Sequence, residues 1–285
     1  MLSTCPSTAA APGRILTRAA TTLAVVTEEC AYSFGDSEIA AERLALVARI
    51  FDPATRSFLE RSAPRPVGLA LDLGCGPGHT TEIVAEVAEA TRTVGIDLSE
   101  SFIERARERV GAKIELICHD VTLTPFPARP ADLIFARLLL SHLPEPERQV
   151  ARWLDELASG GVLLSDEVER IETTLEPLAR YLNLVEARIS AGGGELYLGP
   201  RLDALRGGAG FRQRSSDAVR VAPPTSEAAK MFRLNLRAMR AEDRLAGIAS
   251  SGELDRLGEE LNELTRSNAA GEIVWTLRQT VFAPD

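Results

Sequence analysis

Lysine is almost missing from this 285-residue chain. Lys113 and Lys230 are the only two, and 41 acidic against 32 basic residues leave a formal net charge of -9. Binding a phosphate backbone calls for clustered Lys and Arg, so no nucleic-acid partner is expected. Cysteine is scarce too. Cys5, Cys30, Cys75 and Cys118 form no C-x-x-C pair and stand far apart, which suggests neither a zinc site nor a disulfide framework. No metal is expected, and a reducing, cytoplasmic setting fits. No apolar run approaches the ~20 residues needed to cross a bilayer, so no membrane partner is expected either. The stretch up to Thr27 holds no acid and sets Arg14 and Arg18 among Ala, Ser and Thr. That composition fits a transit peptide or a flexible leader, and residues 1–27 are read as the leader.

What is present can build a large core: 45% of the residues are hydrophobic, enough for one α/β domain with additions. The densest signal is Leu71 to Thr80, LDLGCGPGHT. Val67 to Leu73 read as a buried strand, and Thr80 to Ala90 as a helix with Ile83, Val84 and Val87 inward. Between them Gly74, Gly76 and Gly78 let the backbone turn sharply and lie against a ligand where a Cβ would collide. The dinucleotide fingerprint spaces its glycines G-x-G-x-x-G, whereas the spacing here is G-x-G-x-G. A second strand, Thr93 to Asp97, ends in an acid about 20 residues past the loop, the spacing of a ribose-binding carboxylate. Asp97 could also cap the helix that opens at Ser99 and Glu100, and the two roles are compatible.

A third strand, Lys113 to Cys118, runs into His119-Asp120-Val121, and a fourth, Ala131 to Ala136, into RLLLSHLP from Arg137 to Pro144. Gly160 and Gly161 open a fifth, Val162 to Ser165, with Asp166 and Glu167 at its tip. The alternation of strand and helix is that of a doubly wound α/β sheet. These segments, in this order, resemble the class I S-adenosylmethionine-dependent methyltransferases. The resemblance implies S-adenosyl-L-methionine as cofactor and a Rossmann-like, seven-stranded, mostly parallel sheet. It assigns Asp72, Gly74, Cys75, Gly76, Gly78, Asp97, Leu98, Asp120, Val121 and Arg137 to the cofactor, with Asp97 on the ribose hydroxyls, Asp120 on the adenine amino group and Val121 against the ring. No Asn/Asp-Pro-Pro-Tyr/Phe segment of the DNA amino-methyltransferases occurs. A small-molecule acceptor is therefore expected, with O, N or a nucleophilic carbon methylated, in the manner of secondary metabolism.

The additions around this core are the place to look for the acceptor. Residues 28–64 read as an N-terminal helical cover: an amphipathic helix from Asp36 to Phe51, then a second restarted by Asp52 as N-cap and Pro53 at its first position. Residues 65–285 read as the methyltransferase domain. After the fifth strand, Leu175, Leu178, Leu182, Val185 and Ile189 recur at helical spacing and suggest a pocket wall within an insertion at about 170–208. Gly210 to Val221 and Glu272 to Phe282 read as the sixth and seventh strands. The residues between them, at about 225–266, are too many for a hairpin turn and predict a helical lid, one helix from Thr225 to about Ala246 and another capped by Ser251.

On the first lid helix Met231, Asn235 and Met239 share a face. An amide amid thioethers needs a buried partner, which core packing or a bound acceptor could supply. Tyr32, Tyr181 and Tyr197 join Met231 and Asn235 as candidate acceptor contacts; packing is an even alternative for Tyr32 and the commoner role for the others. For catalysis His142 is the first candidate base, lying just past strand four at the ligand-binding edge of the sheet, with a pKa suited to neutral pH. Helix packing or capping is its structural alternative. Glu167 is the second candidate, and Arg137 could orient an anionic acceptor or pair with Asp166 or Asp132. A nucleotide-dependent oxidoreductase is opposed by the glycine spacing. A non-catalytic S-adenosylmethionine-binding regulatory or structural protein stays open, as does a homo-oligomer.

Overall fold

In the computed structural model, residues 37–208, 210–241, 243–266 and 273–285 are described, all within the compact unit Ala31–Asp285. Five strands, β1 (Leu69–Leu73), β2 (Arg92–Asp97), β3 (Ile114–Cys118), β4 (Ala131–Arg137) and β5 (Leu157–Thr173), are parallel. Three more, β6 (Gly207–Gly208), β7 (Phe211–Val221) and β8 (Ile273–Pro284), complete one sheet in the order β3-β2-β1-β4-β5-β8-β7-β6. β8 is antiparallel to both β5 and β7. The sheet therefore has eight strands where seven are expected. The additional one is a two-residue ladder, Gly207 and Gly208 opposite Arg212 and Phe211, too short for any periodicity to reveal.

The central parallel strands β1, β2 and β4 are apolar and buried on both faces, as a doubly wound sheet requires, while edge strand β3 is half-buried to exposed. Phe58, Leu59, Ile83 and Val84 pack with Leu133, Phe135 and Leu164 in one cluster; Val150, Trp153 and Leu154 pack with Leu71, Ile134 and Leu163 in another. These clusters come from α1 (Glu38–Ser62), α2 (His79–Ala88) and α4 (Pro146–Leu154). β1, β2 and α3 (Glu100–Arg109) bring the glycine loop and Asp97 to the carboxyl edge of the sheet.

Two elements are longer than the sequence suggests. α1 is a single 25-residue helix that runs through Pro53. Pro53 forgoes one helical hydrogen bond, yet both halves are pinned: Leu46, Val47, Ile50 and Phe51 are buried before it, Phe58 and Leu59 after it. Asp52 does not start a helix, because its carboxylate is taken by Arg137. β5 extends to Thr173 because β8 pairs with it from Leu163 to Thr173 beyond the parallel sheet, with a register shift between Val168 and Arg170. Asp166 and Glu167 thus stand in mid-strand, not at a tip.

The insertion between β7 and β8 folds as α7 (Thr225–Ala241) and α8 (Ser251–Leu264). With α1 and α5 (Glu176–Ala191) these helices close a second core over β8. An aromatic chain joins the elements: Tyr181 of α5 stacks on Phe232 of α7 at 4.0 Å, Phe232 meets Trp275 of β8 at 5.8 Å, and Trp275 meets Phe51 of α1 at 5.7 Å. Ser250, rather than Ser251, caps α8 in a capping box with Glu253. α6 (Gly199–Ala204) is a short helix beside β5 and β8. Among the described residues no helix is long and apolar enough to cross a membrane.

Candidate active site

A cleft of about 920 Å³, open mouth included, lies at the carboxyl ends of β1, β2 and β4. Its floor is the loop Gly74 to Gly78. Gly74 and Gly76 have φ of 66° and 52°, the left-handed region that glycine alone enters at no cost. A Cβ on Gly74 would stand 2.8 Å from Leu139 Cδ1, whereas one on Gly76 would meet only Leu44, at 3.5 Å. The loop is held by its own backbone, Cys75 N donating to the Ile96 carbonyl and Gly78 N to that of Cys75.

Asp97 ends β2 at the rim. Its Oδ2 accepts from Gly76 N at 2.8 Å and its Oδ1 from Ser99 N at 2.9 Å, while Ser99 itself caps α3. Asp97 therefore braces the loop and the turn, and a carboxylate has further lone pairs for ligand hydroxyls. Asp120, after β3, is turned onto Thr122 through its Oδ1. Val121 is buried, and its carbonyl is fixed by the Trp153 indole N–H at 2.8 Å. Leu98 and Leu123, on either side of this segment in the chain, are large hydrophobic side chains left 48% and 58% exposed. The glycine floor and the rim carboxylate together fit S-adenosylmethionine.

Several assigned residues stand elsewhere. Asp72 is buried beneath the loop, takes the Thr81 hydroxyl at 2.7 Å, and does not line the cleft. Burial pushes its pKa up to about 7, against the pull of that hydrogen bond. Cys75 lines the cleft, but its thiol is pushed well up by burial and by the charges of Asp72 and Asp97. Arg137 reaches the cleft wall with its Nη1 on Asp52 at 2.9 Å and Thr55 at 3.0 Å. Asp52, not Asp166 or Asp132, is its ion-pair partner. Asp132 instead takes the N–H groups of Gly68 and Leu69, and Asp166 that of the Gln279 amide.

The opposite wall is the 3₁₀ turn Leu140–His142, under Arg43, Leu44 and Val47 of α1 and Ile189 of α5. Leu138 enters the turn with φ of 53°. Glu167 fixes it: fully buried in β5, its Oε1 accepts from Leu139 N and Leu140 N, each at 2.7 Å. Burial raises Glu167 to about 7 despite those two donors. Glu167 does not line the cleft, so it positions the turn and is not the base expected of it. His142 does line the cleft. Burial, then the charges of Arg43 and Arg188, lower its pKa to about 4, so the imidazole is neutral at physiological pH. His79, at the start of α2, is likewise lowered to about 4 by burial and by Arg109 and Arg137.

Tyr181, Asn235, Met231 and Met239 are buried behind this wall and do not line the cleft. The buried partner that the Asn235 amide needs is the Tyr181 hydroxyl, to which its Nδ2 donates. α7 packs on α1, and it is α1 that faces the cleft, so the insertion backs the cover. Tyr197 is half-buried against the same core, while its neighbour Leu196 lines the cleft. Tyr32 lies outside the described residues. Arg43 was missed, although Ala40, Arg43, Leu44 and Val47 fall at i, i+3, i+4 and i+7, an arginine inside an apolar stripe.

The strand order, the glycine floor and the carboxylate on β2 define a nucleotide-type cleft of the methyltransferase fold. Comparison with known proteins agrees. Residues 70–161 match the family model described as "Methyltransferase domain". Trans-aconitate 2-methyltransferases from Methylobacterium radiotolerans and Variovorax paradoxus are each 35% identical to this chain, over 146 and 147 residues, covering 50% of this chain and 54% and 55% of theirs. The chain thus spans about half the length of the curated relatives it matches. A solved methyltransferase structure from Bacillus halodurans superposes with a TM-score of 0.54 at 16% identity, covering 82% of this chain and all of that one. Residues 70–161 carry a methyltransferase domain, and the cofactor that the family and its structural neighbours imply is S-adenosylmethionine. A phosphoethanolamine N-methyltransferase 2 from Haemonchus contortus, solved with phosphomonomethylethanolamine and S-adenosylhomocysteine, shares the fold at a TM-score of 0.53 and 21% identity, over 85% of this chain and 58% of that one.

Proposed function

We propose that this chain transfers a methyl group from S-adenosylmethionine to a small-molecule acceptor. The observation that carries the reading is one continuous cleft with the glycine loop and Asp97 at one end and Ser141 and His142 at the other. The cofactor, when bound, supplies a methyl group on a cationic sulfur that is already activated for in-line displacement. The protein's part is then mainly placement, which can account for roughly 7–11 kcal/mol of a barrier. Gly74 and Gly76 allow close backbone approach, Asp97 takes the ribose hydroxyls, and Asp120, Val121, Leu98 and Leu123 receive the adenine. α1 covers the acceptor, and Leu44, Val47, Ile189 and Leu196 exclude water from it. His142, neutral at pH 7, orients the acceptor and takes its proton where it has one to lose. A role in secondary metabolism belongs to the same reading, since the acceptor-facing walls are additions to the common core.

Incubation with methyl-deuterated S-adenosylmethionine and metabolite extracts, followed by mass spectrometry, tests this. A labelled product of small mass is expected. Tight S-adenosylhomocysteine binding with no labelled product from any extract would instead mark a non-catalytic binding protein.

A further inference from the structure

The stretch that joins α5 to α6 reaches the His142 end of the cleft and is tied down at few points. Gly192, Gly193 and Gly194 begin it, and Gly193 has φ of 78° with nothing among the described residues within 4 Å of where a Cβ would stand. Its far end is seated: Leu198 and Gly199 are buried, and a Cβ on Gly199 would come within 2.6 Å of Glu169 Cα in β5. Between the two ends Glu195, Leu196 and Tyr197 are only half-buried, and Leu196 lines the cleft.

Two sets of contacts hold this stretch on the turn Leu140–His142. Gly194 lies flat on Ser141, where a Cβ would stand 2.4 Å from the carbonyl oxygen, and that oxygen accepts from Glu195 N at 2.9 Å. The second set belongs to Arg201 of α6. Its Nη1 donates to Glu195 Oε2 at 2.7 Å, while Nε and Nη2 donate to the two carboxylate oxygens of Glu147 at 2.8 and 2.6 Å. Glu147 is in the first turn of α4, just past His142.

We infer that residues 192–198 form a hinged strap over the acceptor end of the cleft and that Arg201 is the positioning residue that clasps it shut; that this end receives the acceptor rests on the methyltransferase reading above. Consecutive glycines absorb the backbone rotation a hinge needs. Arg201, Glu147 and Glu195 are all part-exposed, and exposed ion pairs contribute little each, so the clasp yields while the buried anchor stays in place. Closed, the strap sets Leu196 into the cleft wall with Leu44 and Val47 of α1 and keeps water out. Open, it uncovers Ser141 and gives acceptor and product a way past His142.

The test is peptide-resolved labelling of the full chain with diethyl pyrocarbonate, which modifies neutral imidazoles; the chain has three to compare, His79, His119 and His142. His142, its pKa lowered to about 4, is neutral throughout the experiment, and His119 lies away from the strap with its Nε2 at the Leu123 carbonyl. Arg201→Met should speed labelling of His142 by about three- to tenfold, the worth of one or two exposed ion pairs, and leave His119 unchanged. Arg201→Lys keeps the charge without the fork, so its rate should fall between. Raising salt from about 0.1 to about 1 M, which shortens the screening length from about 10 to about 3 Å, should carry the wild type toward the Arg201→Met rate and barely move that variant. Gly194→Ala, which lifts the strap from Ser141, should speed His142 labelling as well, and if it does not fold the surface variants still decide. S-adenosylhomocysteine affinity should be the same in Arg201→Met as in the wild type. An unchanged His142 rate in Arg201→Met, a wild-type rate indifferent to salt, or an equal rise at His119 overturns the strap and leaves the methyltransferase reading standing. If the wild type fails to bind S-adenosylhomocysteine, the methyltransferase reading falls, and the labelling still decides whether a strap closes this end of the cleft.

Discussion

Glu167 holds two backbone N–H groups of the turn after β4 from a site that water does not reach. Its proton stays on to about 7 in the folded chain, against 4.5 in an exposed carboxyl, because burial penalises the charge. Between those values the native state binds more protons than the unfolded one, so this group's contribution to stability falls as pH rises through the window. Glu167→Gln keeps an acceptor for both N–H groups without the titration. It should gain on the wild type from pH 4.5 to 7, by on the order of 3 kcal/mol, and hold a constant lead above that. Urea denaturation of both proteins across the window reads the difference, and parallel curves would mean that Glu167 is not desolvated. Asp97→Ala should weaken S-adenosylhomocysteine binding by at least about 1.5 kcal/mol, and Asp97→Asn by less, as charge-assisted bonds are lost. Unchanged affinity by titration would leave Asp97 only its bracing role toward Gly76 and Ser99. These chemical positions were legible to different degrees. Gly74, Gly76 and Asp97 are marked by local spacing, whereas the burial of Glu167 depends on β8, more than a hundred residues later.

At the scale of elements, strands β1 to β4 agree with the sequence to within two residues at either end, because short apolar runs bounded by Gly, Pro and Asp leave little freedom. The departures share a cause: a partner far along the chain decides them. Pro53 and Asp52 read locally as a helix restart, but the second core buries α1 before Pro53, the sheet buries it after, and Arg137 claims the carboxylate. α7 has the amphipathic pattern of a lid, and that pattern cannot say whether its apolar face covers a ligand or another helix. It covers α1, α5 and α8. Two substitutions separate these roles. Ser250→Ala, which breaks the α8 capping box, should cost about 1 kcal/mol of stability and leave S-adenosylhomocysteine affinity unaltered. Arg137→Met strands Asp52 and the buried Thr55, so it should destabilise α1 by about 2 kcal/mol and show faster amide exchange in that helix than in β1. Equal exchange in the two elements would mean that α1 is held by its apolar face alone.

Over the whole molecule, a doubly wound sheet supplies the glycine-loop end of the cleft, and α1 and α5, backed by α7 and α8 in a second core, wall the His142 end. This division explains why the shared fold was readable from one glycine loop and an acid on the next strand, while the acceptor was not. On the proposed function, the loop Gly74 to Gly78 and Asp97 take S-adenosylmethionine rather than a dinucleotide, whose pyrophosphate calls for the wider G-x-G-x-x-G spacing. Titration calorimetry of the purified chain against S-adenosylhomocysteine and against NAD decides it most directly. Saturable binding of S-adenosylhomocysteine, with a rise in melting temperature as the ligand accumulates and no heat from NAD, is the result expected. Tight binding of NAD with none of S-adenosylhomocysteine would contradict it.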